Sequence, residues 1–226
     1  MEFTFKRCLK TILLPFYVVF IAIPNMIELS VFHYFKRKIK VLRKNVLFLV
    51  NPTSGKKLGT RVIEILKDLG RADMAVDILE SDYITAVKQN LAKLPAGEEL
   101  LIVICGGDGT ANCIINELEA KLESIENLVF VPMPIGTGND LSQALNLGCK
   151  LGVSYLNEYF DRLNSPKTSI VKIDSWDFSY KPKKSNIPSI KRQMLLYFGL
   201  GYDARIQQSF ENARKHFRFL FKISVR

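Results

Sequence analysis

Residues 100–110 read LLIVICGGDGT. Five consecutive Leu, Ile and Val residues form a strand with no polar face, of the kind a parallel sheet covered on both sides buries. The glycines and short carboxylate that follow cannot prolong it. GGDGT is therefore a turn, and a helix through Ile114, Ile115 and Leu118 is expected after it. The same alternation runs on either side. VLFLV (46–50) is a buried strand, NPTSGKKLG a turn, Thr60 to Leu69 a helix and AVDILE (75–80) a second strand. Tyr83 to Leu94 reads as an amphipathic helix stopped by Pro95. Beyond GGDGT come strand LVFVPM (128–133), loop PIGTGND and a helix to about Leu147. The βαβαβαβ order predicts an α/β fold, an open parallel sheet with helices on both faces.

Ligands of open α/β sheets bind outside the carboxyl ends of the strands. Three strand ends here carry glycine with small polar residues: Asn51-Pro52-Thr53-Ser54-Gly55, Gly106-Gly107-Asp108-Gly109-Thr110 and Gly136-Thr137-Gly138-Asn139-Asp140. Glycine lets a backbone approach a phosphate, and hydroxyl and N–H groups donate to its oxygens. The second loop also opens a helix, whose positive end stabilises phosphate charge. Asp108 is the carboxylate placed to hold Mg²⁺ against phosphate oxygens. Lys56 and Lys57 read equally as added charge and as surface lysines at a helix start. Neither G-x-x-x-x-G-K-[ST] nor G-x-G-x-x-G occurs, so the site is a polyphosphate site of another design.

The chain has 226 residues, 48% hydrophobic and 24% charged, which excludes a disordered tail or a disulfide miniprotein. Cys8, Cys105, Cys113 and Cys149 form no C-x-x-C pair, and His33 and His216 cannot complete a zinc site. They read as reduced thiols facing cytosol, buried as small hydrophobes. The formal charge of +10 implies an anionic partner. Residues 1–45 carry nine basic side chains against Glu2 and Glu28, and between the basic clusters lies Thr11 to Phe35, uncharged up to Ile27. That stretch predicts a membrane anchor, spanning or bent at Pro24 as a hairpin, with Lys36 to Lys44 on an anionic leaflet. The same neighbourhood, without a nucleic-acid signature, argues against nucleic acid.

After Ser165 and Pro166 the texture changes. VKIDSWDFSY (171–180) and QMLLYFGLGY (193–202) read as antiparallel strands around a Lys- and Pro-rich loop. Three parts follow: 1–44, anchor and basic linker; 45–166, an α/β nucleotide-binding domain; 167–226, the start of a β-rich second domain. Lys181, Lys183, Lys184, Lys191 and Arg192 are expected against anionic headgroups.

Over residues 45 to about 220 the chain resembles the diacylglycerol kinase catalytic domain, within the wider group of lipid kinases that share a GGDGT loop. NPTSG (51–55), ICGGDGT (104–110), PIGTGNDLSQALNLG (134–148), VKIDSWDF (171–178) and YFGLGYDARI (197–206) carry the resemblance. It implies ATP-dependent phosphorylation of diacylglycerol to phosphatidic acid with Mg²⁺. With the apolar segment, a membrane-associated protein is expected, its catalytic part facing the cytosol. Asn51, Thr53, Ser54 and Gly55 would line the nucleotide, Gly106, Gly107, Gly109 and Thr110 cradle phosphates, and Gly136, Thr137, Gly138 and Asn139 close the pocket. Asp108 would serve both catalysis and metal. Asp140 is expected to cap the helix that begins there, and Asp203 to be a turn or cap residue. The alternatives are a sphingoid or ceramide kinase, or a non-catalytic membrane protein that keeps the fold.

In related kinases the proposed general base lies in a later acidic segment, and this chain ends at Arg226 before one. Asp174, Asp177 and Asp203 match no base motif. The second domain is therefore expected to be incomplete and activity of residues 1–226 impaired, with exposed strand edges at Val171 and Leu195 that invite self-association or a partner.

Overall fold

The computed structural model describes residues 45–149, 153–165, 168–182 and 188–216. The chain divides into two compact units, Lys38–Leu196 and a second made of Met1–Arg37 with Tyr197–Arg226. The first is built on four parallel strands, β1 (Val46–Val50), β2 (Ala75–Asp77), β3 (Leu100–Gly106) and β4 (Leu128–Pro134), in the order β2-β1-β3-β4. Between them run helices α1 (Ser54–Asp68), α2 (Tyr83–Leu91) and α3 (Asp108–Lys121). Parallel crossovers are right-handed. A connection from β1 out to β2 thus lays α1 on one face, and connections running the other way lay α2 and α3 on the opposite face.

Side-chain alternation along the strands confirms this division. Leu47 and Leu49 of β1 and Ile102 and Ile104 of β3 join Ile84 and Val87 of α2 and Ile114 and Leu118 of α3 in one core. The intervening Val46, Phe48, Val50, Val103 and Cys105 are also buried and belong to the other face. There the Phe48 ring meets Phe160 at 6.1 Å between centroids. Phe160 lies in α5 (Val153–Asn164), an element not anticipated from the sequence. Both faces are thus dry, as the unbroken apolar strands require.

Several boundaries move for local reasons. β2 stops at Asp77, not at residue 80, because the Asp77 carboxylate accepts from the N–H of Leu79 and its carbonyl from that of Ser81. α1 starts at Ser54 instead of Thr60; Gly55 and Lys57 have positive φ, so its first turn is irregular. The helix after the third loop, α4, is only Asp140–Ala144. It ends where Asn146 turns left-handed and Leu147 N–H returns to Ser142 O at 2.8 Å, a Schellman closure.

A separate antiparallel hairpin pairs β5 (Trp176–Tyr180) with β6 (Ile190–Met194). The second run therefore starts three residues before the expected one and ends at Met194, leaving Leu195 and Leu196 to pack against the α2–α3 core. In the second unit Tyr202–His216 is a helix, α6, so Tyr202 is not strand and Asp203 sits in a helical first turn. Among the described residues no helix is long and apolar enough to cross a membrane. The proposed anchor, Thr11–Phe35, lies outside them, as does Cys8. Cys105 is buried as expected, whereas Cys113 and Cys149 are exposed, on the outer side of α3 and just past α4.

Phe48→Ala should lower stability by about 3–5 kcal/mol, because the lost ring leaves a cavity between β1 and α5. An unfolding free energy from urea titration within about 1 kcal/mol of the wild type would show that α5 does not seal this face.

Candidate functional site

Strand order reverses direction between β1 and β3, and that switch point is where the ends of neighbouring strands open a crevice. The loops after β1, β3 and β4 all meet there. Asn51 N–H donates to Cys105 O at 3.0 Å, continuing the β1–β3 ladder into the loops. The Asn51 side chain then works in both directions. Its Oδ1 accepts from the Thr53 N–H at 3.1 Å and the Thr53 hydroxyl at 2.8 Å, and its Nδ2 donates to the Thr110 hydroxyl at 3.3 Å. Loop one is folded on itself and tied to loop two by one amide.

Loops two and three come backbone to backbone at two glycines. A Cβ on Gly136 would lie 2.3 Å from Gly107 Cα, a distance no side chain survives. Gly55 is as tightly placed: its φ is +58°, and a Cβ would lie 2.1 Å from Ile135 O of the loop after β4. These two glycines are required by loop-on-loop packing. Gly109 differs, with nothing within 4 Å of where its Cβ would stand, and it is exposed. It is the glycine left facing open space at the start of α3.

Asp108 locks the arrangement. Its two carboxylate oxygens accept, at 3.0 Å each, from the backbone N–H groups of Asp140 and Leu141. The expected cap of α4 is therefore not Asp140, which is the helix's first residue; Asp108, from the preceding loop, caps it. Asn139 is also placed differently from a pocket-lining residue. It is 2% exposed with φ +61°, and its amide is used inside the loop, accepting from Gly136 N–H and donating to Gly136 O and Cys149 O. Its part is to hold the third loop in shape. Thr53, Thr137, Gly138 and Gly109 are exposed at the crevice, and Ser54, Gly107 and Thr110 half-buried beside it. Gly106 is buried against the Thr110 side chain.

These groups make an anion cradle with a carboxylate edge. The first turn of α3 presents N–H groups without intrahelical partners, and its N-cap Gly107 supplies no side chain to occupy them. Opposite, the carboxylates of Asp108 and Asp140 both lie beside Gly138, 3.1 and 4.0 Å from where its Cβ would be. Among the described residues no three His, Cys, Asp or Glu side chains converge. Two carboxylates fit a Mg²⁺ that completes its shell with phosphate oxygens and water, since each Asp108 oxygen retains a lone pair. Gly59, which the sequence reading passed over, closes the floor: its Cβ would meet Asn51 O at 2.1 Å.

The shifted groups lie outside the three loops. Burial, then the bond its hydroxyl gives Glu117, pushes the Tyr83 phenol up. Lys121 at 2.5 Å, then Tyr83, holds the Glu117 carboxyl down. The trio pins α2 to α3. Burial alone raises the Cys105 thiol, which leaves it inert at the end of β3.

Gly136→Ala should cost about 3 kcal/mol, because Gly107 cannot retreat. Gly109→Ala should keep the wild-type Tm. Equal Tm for both variants would show that the loops are not packed through Gly107 and Gly136.

The chain matches the family described as the diacylglycerol kinase catalytic domain over residues 45–165. It is 27% identical to human diacylglycerol kinase zeta over 186 residues, 77% of this chain and 19% of that protein. Against mouse diacylglycerol kinase iota it is 29% identical over 185 residues, 77% of this chain and 17% of the relative. Diacylglycerol kinase 1 of Arabidopsis thaliana is 30% identical over 116 residues, 50% of this chain and 16% of its own length. The chain thus spans under a fifth of each of these proteins. The matched span begins at the residue before β1, ends just past α5 and contains all three interlocked loops; the chain belongs to the diacylglycerol kinase catalytic-domain family.

Proposed function

We propose that the chain transfers the γ-phosphoryl group of ATP to the free hydroxyl of diacylglycerol, giving phosphatidic acid and ADP. The observation that carries the reading is the convergence of three loops at the β1/β3 switch point on the N-terminus of α3. Kinase family membership supports ATP as the donor.

In the reaction the lipid hydroxyl oxygen bonds to the γ-phosphorus, the bond to the ADP oxygen breaks, and the hydroxyl proton leaves to a base. The work left to the protein is placement and charge. N–H groups at the start of α3 and at Thr137 and Gly138 would hold phosphate oxygens, and Thr53 and Ser54 would line the nucleotide. Bound Mg²⁺, held by Asp108 and Asp140, would neutralise phosphate charge. Asn51, Gly55, Gly136 and Asn139 keep the cradle in register. The β5–β6 hairpin would lie on the acceptor side.

Diacylglycerol stays in the bilayer, so the site has to work at a membrane surface. The apolar stretch Thr11–Phe35 between basic clusters, uncharged up to Ile27, supports an anchor, with the catalytic part on the cytosolic side. Lys181, Lys191 and Arg192 are exposed on the hairpin and add to that attraction.

The decisive assay is phosphate transfer from Mg-ATP to diacylglycerol in mixed micelles, with sphingosine in parallel and Asp108→Ala as blank. Turnover on diacylglycerol is expected, falling at least about 100-fold in the blank; transfer to sphingosine instead, or to neither lipid, would overturn the assignment. Replacing Lys181, Lys183, Lys184, Lys191 and Arg192 with Gln should weaken binding to phosphatidylserine vesicles at low salt by about tenfold. Unchanged binding would make these side chains a solvated loop.

A further inference from the structure

The helix that presents its N-terminus to the three loops carries two asparagines further along. Nδ2 of Asn112 and Nδ2 of Asn116 both donate to one acceptor, the main-chain carbonyl of Gln193 in β6, each at 3.1 Å. The i, i+4 spacing puts both amides on one face of α3, and a carbonyl oxygen has a lone pair for each. The Oδ1 atoms of the same two asparagines are buried and have no hydrogen-bond partner among the described residues.

Stability alone does not explain the pair: two buried acceptors without a partner among the described residues are a cost that offsets the two bonds made to Gln193 O. Leu195 and Leu196 already bring the end of β6 onto the α2–α3 core, but apolar burial is non-directional and fixes no register. Directional bonds to a single carbonyl do. Asn112 stands four residues after Asp108, so the fixed carbonyl lies about one helical turn from the phosphate-facing end of α3.

We infer that Asn112 and Asn116 are positioning residues: a latch that sets hairpin β5–β6 at a defined place relative to the phosphate-binding end of α3, so that an acceptor on the hairpin side meets the transferable phosphate. Its use in catalysis rests on the kinase reading above; its geometry does not.

The chain's only tryptophan, Trp176, reports on the latch directly. It sits exposed on β5, paired with Met194 next to Gln193. In the full chain, Asn112→Leu/Asn116→Leu should leave Tm equal or raised while Trp176 fluorescence anisotropy falls. Amides of 190–194 should exchange hydrogen about tenfold faster. Mg-ATP affinity should stay within about twofold, and kcat for diacylglycerol at saturating ATP should drop about tenfold. Asn112→Ala/Asn116→Ala is read in the same way if the leucine pair fails to fold. Unchanged anisotropy and exchange would overturn the latch; a lower Tm with parallel loss of ATP affinity would assign the asparagines to folding instead. Absence of lipid turnover in the wild type would sink the kinase reading, while anisotropy and exchange would still decide the latch.

Discussion

Backbone-on-backbone contact between Gly107 and Gly136 governs the rest of the site. β3 and β4 are parallel neighbours, so the chains leaving them start side by side and must turn together within a strand spacing of about 4.8 Å. A single methyl group on Gly136 would stand 2.3 Å from Gly107 Cα. Because the strands are themselves fixed by two dry faces, neither loop can step aside. The crevice is therefore set by the sheet, and its accuracy comes from core residues such as Phe48 and Ile102 that never reach the ligand side.

Asp108 shows how scaffold and chemistry are merged. Its carboxylate ties the β3 loop to α4 through two N–H groups, and it stands at the edge of the cradle with Asp140. On the proposed reaction, its removal would combine a lost cap, worth about 1 kcal/mol, with a lost charge beside the phosphates. The cap part appears in Tm and the charge part in metal dependence, so the two are separable by measurement although they belong to one group.

Legibility in the sequence follows the range of the physics. The strand LLIVI, the turn GGDGT and the sheet architecture are written in contiguous residues, since β-branched runs and glycine act locally. The Asp108 clasp joins groups 32 and 33 residues apart, and no local pattern marks it. Asp140 looked like the cap because it stands at the helix start. Asn139 looked like a ligand because a polar residue in a glycine loop usually faces solvent; its left-handed φ and buried amide depend on Cys149, ten residues on. α5 was legible and was passed over: Val153, Leu156, Tyr159, Phe160 and Leu163 recur at helical spacing. β6 was misplaced because the apolar residues of QMLLYFGLGY were taken for the strand, whereas IKRQM forms the ladder on a hairpin that buries little.

That hairpin brings the argument back to α3. Two strands of five residues each, mostly exposed, are marginal by themselves. What holds them is the Leu195–Leu196 contact with the core and the two amides on Gln193 O. One helix therefore has three tasks along its length: its first turn opens at the three loops, its next two turns hold the hairpin, and its buried face completes the core through Ile114 and Leu118. A rigid rod that joins the loops to a second structural element fixes the distance between them without a separate joint. Any tilt of α3 on the sheet would move both ends at once, so the Tyr83–Glu117–Lys121 bonds that pin it to α2 also bear on the alignment of the cradle and the hairpin.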